Sequence, residues 1–115
     1  MIDVQSLSRY YGSRCAVDRV SFTISSNEVV GFLGLNGAGK TTTLKVLAGL
    51  LLPSGGSVSV DGVDMSESPT GVRSRIGFLP EDPPLYQEMT VRDCLRFVGG
   101  LRGMSPSSIE DRLED

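Results

Sequence analysis

Residues 34 to 42 read Gly34-Leu35-Asn36-Gly37-Ala38-Gly39-Lys40-Thr41-Thr42, a run that tightly limits the folds open to this chain. Gly34, four free positions, Gly39-Lys40 and Thr41 meet every position of the Walker A pattern, a loop that leaves a strand and opens a helix. Glycines let the backbone take positive φ values and turn its N–H groups inward with no Cβ in the way. Those groups and the start of the following helix form a concave anion site. Lys40 brings a mobile positive charge to the β- and γ-phosphates of a bound triphosphate. The Thr41 hydroxyl offers a hard oxygen ligand to Mg²⁺.

The flanking residues supply the context such a loop needs. Upstream, Val29-Val30-Gly31-Phe32-Leu33 is a short apolar run, β-branched at its start, which predicts a strand covered on both faces. Downstream, Leu44, Val46, Leu47, Leu50 and Leu51 recur at helical spacing before Gly49 and Pro53 weaken and stop the helix. A Gly-rich turn without a ligand has no use for Lys followed by Thr at this spacing.

A length of 115 residues suits one small domain. The 39% apolar and 22% charged content is ordinary for a globular protein. Net charge is −3 with Lys and Arg scattered, so no nucleic-acid-binding face is expected. The longest apolar stretch, residues 46–52, contains Gly49 and is too short to span a bilayer. Nothing of signal-peptide type opens the chain. A cytoplasmic location follows as the expectation, with any membrane contact made through a partner. Cys15 and Cys94 are far apart and the chain has no histidine. That excludes Cys/His metal sites and His-activated nucleophiles, and two semi-buried free thiols are expected.

Along the chain, residues 2–7 alternate as a half-buried strand, and Arg9-Tyr10-Tyr11-Gly12-Ser13 reads as a turn. Residues 17–24 predict a second strand, with Val20, Phe22 and Ile24 on one face. The pair forms an antiparallel layer ahead of the phosphate loop. Residues 57–62 read as a strand ending in a turn, 66–74 as a short helix, and Ile76-Gly77-Phe78-Leu79 as a core strand. Pro80-Glu81-Asp82-Pro83-Pro84 must be an extended loop. Thr90 with Asp93 three residues on has the form of a capping box, and Leu95, Val98 and Leu101 give the following helix an apolar stripe. Ser105-Pro106 starts a further, polar helix.

Taken in order, Leu7-Ser8-Arg9-Tyr10-Tyr11-Gly12, Val20-Ser21-Phe22, Glu28-Val29-Val30-Gly31 and the loop through Thr43 resemble the start of an ABC transporter ATP-binding subunit. Pro53-Ser54-Gly55-Gly56, Val60-Asp61-Gly62 and Ile76-Gly77-Phe78-Leu79-Pro80-Glu81 continue the likeness over essentially the whole chain. The resemblance implies an α/β fold of ABC ATPase type, a P-loop NTPase core with an attached antiparallel β layer. It would be truncated before the signature and Walker B segments. Residues 1–115 would be the N-terminal part of one ATP-binding domain. Residues 1–87 would hold the β layer and P-loop core, and 88–115 would open the helical subdomain.

The resemblance implies ATP and Mg²⁺ as cofactors, with Asn36, Gly37, Ala38, Gly39, Lys40, Thr41 and Thr42 at the phosphates. Tyr11 matches the aromatic that stacks on adenine, with Tyr10 as the candidate if the register shifts by one; a ring face can stack on a base without base-specific hydrogen bonds. Thr41 would ligate the metal. Glu81 falls where the family usually has the Q-loop glutamine, which senses the metal and the γ-phosphate near the transmembrane partner. The Leu79-Pro80-Glu81 form resembles the multidrug and gliding-motility export branch. The bland alternative for Glu81 is a solvated loop carboxylate. Transmembrane permease subunits and a second, head-to-tail copy of the domain are the implied partners, at the inner face of the membrane.

Such subunits carry their signature motif, their Walker B strand with the hydrolytic carboxylate and their switch histidine further along. No catalytic residue is therefore assigned within these residues, and turnover by the 115-residue chain alone is not expected. Strands around Leu33 and Leu79 would lack a neighbour and leave apolar faces open, which predicts marginal solubility. Other readings are a cytosolic ABC ATPase acting on DNA or ribosomes, a nucleotide-binding remnant without turnover, and a different P-loop enzyme such as a GTPase. The guanine-reading Asn-Lys-x-Asp motif of that last class is absent from these residues.

Overall fold

A computed structural model describes residues 1–114. It divides into two compact units, Met1–Phe78 and Leu79–Asp115. The first unit is built on an antiparallel hairpin of β1 (Ile2–Tyr11) and β2 (Arg14–Ile24), turned at Gly12-Ser13. β3 (Gly55–Val60) pairs with the other edge of β1, and the short β4 (Val63–Asp64) with β3. The order among the described residues is β2-β1-β3-β4. The helices α1 (Lys40–Leu47) and α2 (Pro69–Arg75) complete this unit.

The hairpin is longer than the alternation alone predicts, because β1 is not regular. Val4 and Leu7 are three residues apart and would face opposite sides of an ideal strand. An irregularity in the pairing between them, with Ser6 at φ 49°, turns both inward. Val4 and Leu7 then form one core with Val17, Val46, Leu47, Val58, Val60, Met65 and Val72. α1 thus contributes Val46 and Leu47 to the sheet face and keeps its first turn free for the loop before it. Gly56 sits against the same irregularity at φ 78°. A Cβ there would lie 2.3 Å from the Ser6 carbonyl oxygen, so only glycine fits.

Two expected strands are corrected. Residues 29–33 and 76–79 form no strand. Their composition suits a strand, but a strand exists only with a neighbour to share its ladder, and none of the described strands pairs with either segment. Phe32 instead rests its ring 5.9 Å from Phe22 of β2. Ile76 packs against the core, while Leu33 and Leu79 are 93% and 81% exposed. The P-loop helix also ends sooner than its apolar spacing suggests, at Leu47, followed by Gly49 at φ 71°. Cys94 is half-buried as expected, but Cys15, at the open start of β2, is exposed.

In the second unit, α3 (Val91–Leu101) is capped by Thr90, whose Oγ1 accepts from the Asp93 N–H at 3.1 Å. α4 (Pro106–Glu114) follows Ser105. Ile109 of α4 is buried against Gly99 of α3, whereas Leu95, Val98 and Leu101 remain largely exposed. Arg96 grips Glu110 with both ends of its fork, at 2.6 and 2.9 Å. That bond holds the Glu110 carboxyl below its usual range. Among the described residues no helix is long and apolar enough to cross a membrane.

The first unit carries a pH-dependent clasp. The Met1 ammonium donates to Asp61 Oδ1 at 2.6 Å, and the Asp61 N–H donates to the Met1 carbonyl at 2.8 Å. The hydrogen bond from Met1, then its charge, lowers the Asp61 pKa. A carboxylate lowered on folding adds stability above its unfolded pKa, and that stability is lost as pH falls through the folded value. Asp61→Asn is therefore expected to lower the urea midpoint at pH 6, with the two chains converging as pH drops below the ordinary value of 3.8. Equal midpoints at pH 6 would show that the clasp adds nothing.

Candidate functional site

The loop between residues 34 and 39 turns on glycines with positive φ, Gly37 at 85° and Gly39 at 87°. Gly39 is the residue before α1 and takes the left-handed conformation. A Cβ at Gly39 would lie 2.3 Å from the Ala16 carbonyl oxygen of β2, so the loop presses directly on the hairpin. The Ala38 N–H donates to the Leu35 carbonyl at 3.1 Å, closing the turn. Thr43 bonds back to the Gly39 carbonyl with both its N–H and its hydroxyl, each at 2.9 Å.

No side chain caps α1, and its first turn holds no acidic residue. The N–H groups of Lys40, Thr41 and Thr42 have no acceptor within the helix, which is the general condition of a first turn. They leave a positive dipole end facing outward. Lys40 curls over the loop, its Nζ donating to the Gly34 carbonyl and, at 3.2 Å, to that of Leu35. Those carbonyls are weak partners for an ammonium beside a phosphate, so an arriving anion can take the lysine over.

A cavity of about 250 Å³ lies at this helix start. Asn36, Gly37, Gly39, Lys40, Thr41 and Thr42 line it from the loop and α1, and Tyr11, Arg14 and Ala16 line it from the hairpin. Ala38 lines a neighbouring cavity of about 370 Å³ together with Lys40 and Phe32. Tyr11, and not Tyr10, is the aromatic on the wall. Tyr10 pairs with Cys15 instead, and a hydrogen bond to that thiol raises its pKa. Glu81 belongs to the second unit, where it is exposed.

Arg14 and Ala16 escaped the sequence reading. The signal was present, since a two-residue turn at Gly12-Ser13 sets residue 14 opposite residue 11. The Arg14 side chain makes no hydrogen bond or ion pair among the described residues and adds a second cation to the wall. The uncapped helix start, two cations and an aromatic suit a polyanion attached to a flat ring. Among the described residues no group of three His, Cys, Asp or Glu could hold a metal ion. A divalent cation would therefore share its ligands between Thr41 and the anion, as Mg²⁺ commonly does.

Comparison with known proteins identifies the family. Residues 17–115 match the family described as ABC transporter. The chain is 38% identical over 113 residues to the ABC-type transporter ATP-binding protein EcsA of Bacillus subtilis, covering 98% of this chain and 46% of that protein. It is 36% identical over 118 residues to the lipopolysaccharide export system ATP-binding protein LptB of Haemophilus influenzae, covering 100% of this chain and 49% of that protein. A solved ATP-binding subunit of an ABC transporter superposes with a TM-score of 0.85 at 36% identity, over 97% of this chain and 47% of that one. The chain thus spans about half the length of these relatives.

Proposed function

The chain belongs to the ABC transporter family, and from that premise we propose that it forms the nucleotide-binding half of an ATP-binding subunit that binds Mg·ATP to drive a membrane exporter. One observation carries the reading: a single cavity joins Tyr11 of the hairpin to Lys40 and Thr41 at an uncapped helix start. The phosphates lie against the N–H groups of residues 36–42, Lys40 leaves the Gly34 and Leu35 carbonyls for them, and Tyr11 stacks on adenine. Thr41 ligates Mg²⁺, and Glu81 senses the metal and couples it to the partner. Transmembrane permease subunits and a second copy, arranged head to tail, are the proposed partners, at the inner face of the membrane. The helical part opens at about residue 88, and ATP hydrolysis is an activity of the longer subunit. The export-system name of one relative supports the direction of transport.

Thr41→Val tests the metal assignment, since valine keeps the shape and removes the hydroxyl. The unaltered chain is expected to bind ATP more tightly with Mg²⁺ than with a chelator, and Thr41→Val to lose that difference. Calorimetric titration reads both. A full Mg²⁺ effect in Thr41→Val would remove Thr41 from the metal site.

A further inference from the structure

Two arginines flank Tyr11, and only one of them lines the cavity. Arg14 faces it from β2, while Arg9, over the Tyr11 ring with its Cζ 5.0 Å from the centroid, is not part of the wall. Arg9 therefore meets the ring from outside the cavity wall. Its Nη1 donates to the Leu52 carbonyl at 3.0 Å. Leu52 lies in the segment that leaves the helix carrying Lys40 and Thr41, so this bond ties the ring's support to the chain just beyond that helix. The Arg9 Nε is buried with no hydrogen-bond partner, a cost that folding normally avoids. Pressing the guanidinium against the ring offers a return for that cost, because a cation is attracted to an aromatic face.

We propose that Arg9 is a positioning residue for base recognition, holding one face of Tyr11 so that the other is presented as the platform for a nucleotide base. This rests on the stacking role proposed above for Tyr11. Tyr11 stands at the end of β1, half exposed, and among the described residues its side chain makes no hydrogen bond that would fix the ring. A ring pinned before the ligand arrives loses less rotamer freedom on binding. It also keeps a set distance between the base platform and the phosphate loop.

The test uses the 115-residue chain with two probes, Mg·ATP and inorganic tripolyphosphate, titrated by calorimetry. Arg9→Met keeps the apolar stem and removes the cation. It is expected to weaken ATP binding about two- to fivefold and to leave tripolyphosphate affinity unchanged. In a Tyr11→Leu background, Arg9→Met is expected to have no further effect on ATP. Equal loss for both probes would make Arg9 a general support of the fold and overturn the proposal. No change in ATP affinity, or effects of the two substitutions that simply add, would overturn it as well. An unaltered chain that binds neither probe would overturn the nucleotide site itself, a different failure from additive effects in a chain that binds both.

Discussion

Lys40→Ala is expected to weaken Mg·ATP binding by about a hundredfold, with little change in the stability of the chain. Each charge-assisted hydrogen bond between an ammonium and a phosphate oxygen contributes roughly 1.5–3 kcal/mol, and 2.7 kcal/mol corresponds to about a hundredfold in affinity. The fold loses little because the ammonium's present partners are two loop carbonyls at an exposed site. A calorimetric titration alongside a thermal melt separates the two quantities. Unchanged affinity would detach Lys40 from the phosphates. A collapse of the melt would mean that the lysine supports the loop rather than the ligand.

The second large effect concerns stability, and it divides two leucines that look equivalent in sequence. Leu7 is fully buried among Val4, Val17 and Val58, and Leu7→Ala is expected to cost about 3 kcal/mol. Leu33 ends an apolar run that reads as a core strand, yet it is 93% exposed, and Leu33→Ser is expected to change stability by no more than about 0.5 kcal/mol. Urea unfolding of the two variants measures both. Equal losses would mean that residues 29–33 pair within a sheet in solution. The same exposure predicts self-association, since Val29, Leu33, Leu35 and Leu79 offer apolar surface to water. Leu33→Ser is expected to raise the soluble fraction of the chain.

These contrasts show what kind of information a sequence holds. The phosphate loop was legible because its chemistry is local: glycine spacing, one lysine and one threonine set the turn and the helix start by themselves. The Thr90 cap and the Ser105-Pro106 helix start were legible for the same reason. The hairpin was legible in outline, but the irregularity at Ser6 was not. It lets Val4 and Leu7 share a face, and that follows from which residues β2 and β3 bring to β1. Residues 29–33 and 76–79 have strand composition without strand partners, and composition alone cannot supply a ladder. Tyr11 was found through resemblance, whereas Arg14 and Arg9 emerged only when the hairpin register and the Leu52 carbonyl were placed around it.

The cavity at the start of α1 is the proposed site for a nucleoside triphosphate. Amide NMR of the 115-residue chain titrated with Mg·ATP addresses it residue by residue. The predicted result is saturable shifts at Gly37, Gly39, Lys40, Thr41 and Thr42, joined by Tyr11 and Arg14 across the cavity. Saturation without shifts in the loop, or shifts confined to residues away from that cavity, would contradict it.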